Sequence, residues 1–261
     1  MRVAEIYRSI QGEGFLTGTE SVFVRASGCN LRCWYCDTPY ASWTPEGEDL
    51  GVDEIVAQVE SLAADFAGSN GPCRHVVLTG GEPMLFAELI PLAAALTAAG
   101  HHLTIETAGT LYLPVACDLM SISPKLANST PGDSDFSAAP AGSTGATAGR
   151  VPSGCSSVPA PHWSRRHERT RHAPEVVRRL AREYPYQLKF VVDSPDDCAE
   201  VEAYLAEFPE IERFRVMLMP QGTDPDALAE QGAWLEPYCR EHRLHYCPRR
   251  QIEWFGFVRG T

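Results

Sequence analysis

The sequence predicts an α/β protein, an open, partial βα barrel of about six βα units, and three observations lead there. Short β-branched runs alternate with helical apolar patterns, the rhythm of parallel strands joined by crossover helices. The 261 residues, 44% of them hydrophobic, can bury one large core. A stretch from Ala127 to His172, dominated by Ser, Gly, Pro, Ala and Thr, cannot build core, and without it roughly 215 residues remain, fewer than the ~250 of a closed eight-stranded barrel. One domain is therefore expected over residues 1–261, carrying a low-complexity insertion at 127–172.

Taken in order, Ser21 to Arg25 reads as a strand that runs straight into a group of cysteines. Ile55, Val56, Val59, Leu62, Ala63 and Phe66 recur at helical spacing. His75 to Leu78 is the second strand. The helix behind it starts near Leu85 and ends at Gly100, a residue suited to the left-handed position that closes a helix. Leu103 to Ile105 and Leu119 to Ile122 are the next two strands. The insertion follows, turns basic through Arg165, Arg166, Arg169 and Arg171, and reads as a mobile, solvated linker without apolar periodicity. Gln187 to Val192 is the fifth strand. Ser194-Pro195-Asp196-Asp197 then supplies a capping residue, a proline at the first helical position and carboxylates in the first turn. Arg215 to Leu218 is the sixth strand, with a helix from about Pro225 to Arg243 behind it.

Composition narrows the function. A net charge of −12 repels phosphate backbones, so a small molecule is expected as substrate and no nucleic acid as partner. No apolar run reaches bilayer length, and no apolar secretory region follows Arg2, so a cytoplasmic protein with no membrane association is expected. Nine cysteines are an odd number for a disulfide framework, and three of them fall within eight residues, a spacing that suits metal binding in a reducing compartment.

Those three are Cys29, Cys33 and Cys36, on a short loop behind the first strand. Three thiolates leave a cubane iron–sulfur cluster with one iron that lacks a protein ligand, free to chelate a small amino acid. The alternative is a structural zinc site. Zinc wants four closed ligands, and Cys73, Cys117, Cys155, Cys198, Cys239 and Cys247 are scattered without a second C-x₂-C pair; they read as small buried hydrophobes. A non-catalytic metal module therefore stays open as a rival to an enzyme.

The C-x₃-C-x₂-C spacing, with Tyr35 immediately before the last cysteine, resembles the radical S-adenosylmethionine superfamily. The resemblance implies that fold and a 4Fe-4S cluster on the three cysteines. Its open iron would hold S-adenosylmethionine and reduce it to a 5′-deoxyadenosyl radical. It also places cofactor contacts at the ends of the predicted strands, where βα barrels gather their sites. Tyr35, Cys36 and Asp37 come from the cysteine loop; Gly81 and Glu82 come from Thr79-Gly80-Gly81-Glu82-Pro83, with the Glu82 carboxylate meeting an ammonium. Thr107, Ser123, Pro124 and Lys125 follow the third and fourth strands, and Gln221 the sixth, there to frame an adenine. Read singly, each is an ordinary strand end or turn.

Longer segments are similar to the 7-carboxy-7-deazaguanine synthase family: Glu5 to Gly14, Phe23-Val24-Arg25, Cys36-Asp37-Thr38, and Pro248 to Gly256 with Arg259-Gly260. This resemblance implies a lyase that contracts 6-carboxy-5,6,7,8-tetrahydropterin to 7-carboxy-7-deazaguanine with loss of ammonia, for queuosine and other 7-deazapurines. It implies substrate contacts from Ile10, Gln11, Gly12, Glu13, Arg25, Thr79 and the terminal carboxylate of Thr261, and Mg²⁺ on Thr38. It further implies a flavodoxin or similar electron donor, and a homodimer. Arg25 suits a carboxylate through its planar guanidinium; its plain structural reading is a salt bridge, and that of Thr38 a helix cap. An activase acting on a protein backbone is the rival enzyme reading, which the polar Gln11-Gly12-Glu13 and Arg25 segments disfavour.

Overall fold

Alternation of side chains along each strand decides which face of the sheet becomes core and which becomes site. The computed structural model of the chain describes residues 1–64, 71–132 and 160–260. The strands are β1 (Arg2–Ile10), β2 (Glu20–Ala26), β3 (Glu48–Asp49), β4 (His75–Gly80), β5 (His102–Thr107), β6 (Leu119–Ile122), β7 (Tyr186–Val192), β8 (Val216–Pro220) and β9 (His245–Tyr246). The helices are α1 (Pro39–Ser42), α2 (Val52–Ala63), α3 (Leu89–Ala98), α4 (Ala160–Arg171), α5 (Pro174–Glu183), α6 (Pro195–Ala206), α7 (Pro225–Glu241) and α8 (Arg250–Phe255). Among the described residues one open sheet holds all nine strands, in the order β3-β1-β2-β4-β5-β6-β7-β8-β9. The six predicted strands form its parallel run from β2 to β8. β9 adds a short parallel edge, while β1 and β3 pair antiparallel at the far end. β1 escaped prediction because Arg2, Glu5 and Arg8 break its alternation and most of its residues are only half-buried.

Residues of one parity face the helices and make the main core. Val22, Val24 and Ala26 of β2, Leu188, Phe190 and Val192 of β7, and Val216 and Leu218 of β8 pack there with Leu89, Leu92 and Leu96 of α3. Each fully buried leucine contributes about 1.5–3 kcal/mol relative to exposure. The other parity, including Phe23, Arg25, Thr79, Lys189, Val191 and Met219, lines the concave side. A small apolar group there, Val191, Met217, Met219 and Cys247, takes Tyr35 against it.

The predicted helices form with shifted ends. α2 stops at Ala63, and Phe66 lies outside the described residues. α3 starts at Leu89, since Pro83–Leu85 forms a separate 3₁₀ turn. Gly100 has φ 86° and closes α3 by donating to Thr97 O at 3.0 Å. At the start of α6, Asp197 Oδ2 accepts the amides of Asp193 at 2.7 Å and Ser194 at 2.9 Å.

The expectation of a structureless linker over 127–172 is corrected at both ends. Ala127–Ser129 is a 3₁₀ turn, and α4 fills the basic end. α4 shows no apolar stripe because polar contacts hold it: Thr130 and Arg171 bond Glu168, and Ser164 Oγ donates to Pro131 O at 2.6 Å. Helices are stabilised by tertiary contacts more than by propensity, and contacts of this kind leave no periodic trace. Residues 133–159, with Cys155, lie outside the described residues. Among the described residues every cysteine is a free thiol, and no helix is long and apolar enough to cross a membrane.

Candidate active site

β2 delivers the chain into an irregular loop, residues 27–38, that carries the three cysteines. Its path is fixed by neighbouring backbone: Gly28 N–H donates to Ala41 O at 2.8 Å, and Gly28 O accepts from Glu82 N–H at 2.8 Å. The loop after β4 lies so close that it needs glycine. A Cβ on Gly81 would stand 2.2 Å from Gly28 O and 2.4 Å from Ala41 O.

Cys29, Cys33 and Cys36 all line one cavity of about 680 Å³, within the range of small-molecule sites. Burial pushes all three thiols up, Cys29 to about 12, and neighbouring thiols raise Cys29 and Cys33 further. They are therefore protonated at neutral pH, and a bound cationic centre is what ionises such a set. Among the described residues, no three His, Cys, Asp or Glu side chains converge as ligands of a single metal ion. A cubane carries its thiolates on separate irons, so the three-thiol set fits an iron–sulfur cluster with one iron left open.

Another part of the lining is ionic. Arg25 Nε donates to Glu5 Oε1 at 2.6 Å and Nη2 to Tyr7 Oη at 2.7 Å, which leaves Nη1 uncommitted. Glu13 is paired with Lys189 and Arg249 and accepts from Gln251 Nε2 at 2.6 Å. Burial pushes the Glu13 carboxyl up, but Lys189 and Arg249 outweigh it and hold it at about 2. Burial in turn lowers Lys189, and Glu13 and Glu106 raise it well past its ordinary value. Arg249 also donates to Asp37 Oδ2 at 2.5 Å and to Gly222 O at 2.6 Å, tying the cysteine loop to the loop after β8. Gln251 Oε1 is buried with no hydrogen-bond partner.

The structure gathers Ile10, Gln11, Gly12, Glu13, Arg25, Thr79, Tyr35, Asp37, Thr38, Gly81, Thr107, Ser123, Lys125 and Gln221 around this cavity with the cysteines. Thr79 Oγ1 donates to Glu106 Oε2 at 2.7 Å, and Lys125 Nζ to Ser123 Oγ at 2.7 Å. The Thr38 hydroxyl does not cap α1. Two of the expected cofactor residues stand outside the cavity lining. Glu82 is fully buried and does not line the cavity, because its oxygens accept from Met84 N–H, Ala108 N–H and Thr107 Oγ1 at 2.8–3.0 Å. Burial still raises its carboxyl, and those donors oppose the rise. Pro124 is absent from the lining as well: side chains alternate, and Ser123 and Lys125 take the cavity side. Thr261 lies outside the described residues. Sequence reasoning missed Lys189, Arg249, Gln251 and Glu106. Lys189 left a signal as a charge inside a mostly apolar strand, and Arg249 and Gln251 fall within the Pro248 to Gly256 segment that carries the family resemblance.

An open βα sheet with a three-thiol loop behind its first parallel strand defines a class, and the family model of the Radical SAM superfamily matches residues 23–124. Within that class, 7-carboxy-7-deazaguanine synthase of Rhodopirellula baltica is 40% identical over 260 residues, covering 99% of this chain and 88% of its own. The enzyme of that name from Halobacterium salinarum is 40% identical over 256 residues (96% and 88%), and that of Pyrobaculum aerophilum 34% over 266 (100% and 97%). The chain belongs to the 7-carboxy-7-deazaguanine synthase family. The crystal structure of QueE from Escherichia coli shares the fold, with a TM-score of 0.60 at 21% identity over 95% of this chain and 93% of that one.

Proposed function

We propose that the chain converts 6-carboxy-5,6,7,8-tetrahydropterin to 7-carboxy-7-deazaguanine with release of ammonia, as a radical S-adenosylmethionine lyase of 7-deazapurine biosynthesis. One observation carries the reading: a single cavity brings the three half-buried cysteines together with Arg25, Glu13, Lys189 and Gln251. Cys29, Cys33 and Cys36 would hold the cluster, which when bound would supply the electron for reductive cleavage of S-adenosylmethionine.

The chain's own residues do the rest. Arg25, pre-set by Glu5 and Tyr7, offers Nη1 to the substrate carboxylate. Glu13 is ionised throughout the neutral range and accepts from the guanidine-like edge of the pterin, while the unpartnered Gln251 Oε1 accepts a further N–H. Gln11 and the Ile10 and Gly12 backbone frame that edge, and Thr79 is turned by Glu106 toward the same end. On the cofactor side stand Tyr35, Asp37, Gly81, Thr107, Ser123, Lys125 and Gln221. Glu82 acts from behind them by ordering the loop after β5. Thr38, with its hydroxyl unused in capping, is the residue for Mg²⁺, a hard cation that prefers oxygen to thiolate. A homodimer in the cytoplasm, reduced by a flavodoxin-like donor, completes the reading. So charged a wall suits a small polar substrate better than a protein backbone.

The test is anaerobic incubation of the cluster-loaded protein with the carboxytetrahydropterin, S-adenosylmethionine, Mg²⁺ and a reductant, followed by mass analysis. The deazaguanine acid is the expected product. Its absence while 5′-deoxyadenosine accumulates would remove the substrate assignment, and omission of Mg²⁺ without effect would remove the metal from Thr38.

A further inference from the structure

We infer that His167 and Ser129, on the two described flanks of the insertion, are positioning residues for the cysteine loop and lock the backbone between Cys29 and Cys33. The inference rests on the reading that these cysteines hold the cluster.

His167 lies on α4 between exposed neighbours, Arg166 and Glu168, yet is itself only 1% exposed. Its Nδ1 accepts the Arg32 backbone N–H at 3.1 Å, and its Nε2 stands 2.8 Å from Ser129 Oγ. The Ser129 hydroxyl is committed as a donor to Leu126 O at 2.6 Å. Ser129 Oγ therefore receives Nε2–H, and Nδ1 keeps its lone pair for Arg32: the partners select one tautomer of a neutral ring. Burial holds that ring neutral, lowering it to about 4. A protonated ring would turn a donor against the Arg32 amide.

The same two flanks grip the loop elsewhere. Trp163 of α4 stacks on the Arg32 guanidinium at 4.4 Å, and that guanidinium donates to Cys29 O at 2.8 Å and Leu31 O at 2.7 Å. From the 3₁₀ turn, Ser129 O accepts Trp34 N–H at 3.2 Å and Asn128 O accepts Trp34 Nε1 at 2.6 Å. Contacts just outside a metal's ligands orient those ligands, and their loss typically weakens metal holding about 10–100-fold. The loop's two inner spacers, between the first and second cysteines and between the second and third, are thus held by an insertion whose composition reads as linker.

Full-length wild type, His167→Phe, His167→Asn and Ser129→Ala would be reconstituted anaerobically with iron and sulfide. The wild type alone tests the underlying reading, since absence of a cubane signal there overturns that reading whatever the variants do. With the wild-type cluster in place, His167→Phe is expected to lose iron to a chelator about tenfold faster. Its reduced cluster should also give an altered electron paramagnetic resonance line shape with a weaker response to S-adenosylmethionine. His167→Asn keeps an acceptor near the Nδ1 position and should recover most of both properties. Wild-type chelation rate and line shape in His167→Phe, even with a lowered melting temperature, overturn the inference, as does the absence of rescue by asparagine. If His167→Phe does not fold, Ser129→Ala decides: it should shift both readouts in the same direction, and wild-type values there overturn the inference.

Discussion

The Lys189 side chain is 7% exposed in the middle of β7, a position that tolerates a cation only beside a carboxylate. Breaking such a buried pair by removing one partner costs about 3–5 kcal/mol, so Lys189→Met is expected to destabilise the chain by about 3 kcal/mol at neutral pH. The sign of its pH dependence follows from Glu13. That carboxyl is held at about 2, below its ordinary value, so ionised Glu13 contributes stability that is present above the unfolded pKa, about 4.3, and is lost as the pH falls toward the folded value. In the variant burial outweighs the remaining attraction of Arg249, and Glu13 protonates at higher pH. The deficit should therefore shrink below about pH 4.5 in urea unfolding. A deficit constant down to about pH 3 would reduce Lys189 to packing. Arg25→Ala separates binding from the cluster at the same scale. A charge-assisted hydrogen bond contributes about 1.5–3 kcal/mol, so substrate affinity should fall about 10–100-fold with the cluster spectrum unchanged. Glu5 keeps Tyr40 and Arg259 as partners, which lets the variant fold. Unchanged affinity would take Arg25 out of the substrate site.

Between residues and the whole, the loops after β2 and β4 act as one element, because Gly81 is pressed against the backbone of the cysteine loop. Gly81→Ala drives a Cβ into two carbonyl oxygens that have nowhere to retreat, and overpacking of this kind costs about 1–3 kcal/mol. Cluster content after reconstitution should drop with stability; full cluster content in a destabilised variant would show the two loops to be independent. These loops were legible in the sequence because their chemistry is local: strand, then cysteines or Gly-Gly, then helix. β7 and β8 were legible for the same reason. What stayed illegible depends on partners far along the chain. Glu13 and Lys189 are 176 residues apart, Arg249 and Asp37 212, and no spacing rule links such pairs. α4 was hidden because it docks through His167 and Trp163 and not through an apolar face. Glu82 is placed at the cofactor by the resemblance of its Gly-Gly-Glu-Pro segment, and the donors from its own chain that meet it come from residues 84, 107 and 108, which no spacing rule announces.

Across the whole molecule, charge is distributed against its average. The chain carries a net charge of −12, yet the cavity is lined by five cationic side chains, Arg25, Lys125, Lys189, Arg249 and Arg259, and three anionic ones, Glu13, Asp37 and Glu106. Arg25 and Arg259 pair with Glu5, and Lys189 and Arg249 with Glu13, so the lining is a set of ion pairs that holds its cations in place against the acidic average. Part of that wall is the C-terminal tail, where Gly256 to Gly260 line the cavity mouth and Arg259 fastens them to the N-terminal strand through Glu5 at 3.0 Å and to Glu46 at 3.0 Å. Arg259 is 45% exposed in its side chain, and exposed pairs contribute about 0–1 kcal/mol. That is too little to matter to a core of this size but enough to shift a tail's docked population up to about fivefold. Arg259→Ala should leave unfolding and cluster content unchanged while raising KM for the pterin up to about fivefold, with kcat nearly constant. If KM does not move, the tail only rests on the mouth; if kcat falls with it, the tail holds the substrate for reaction as well as for binding.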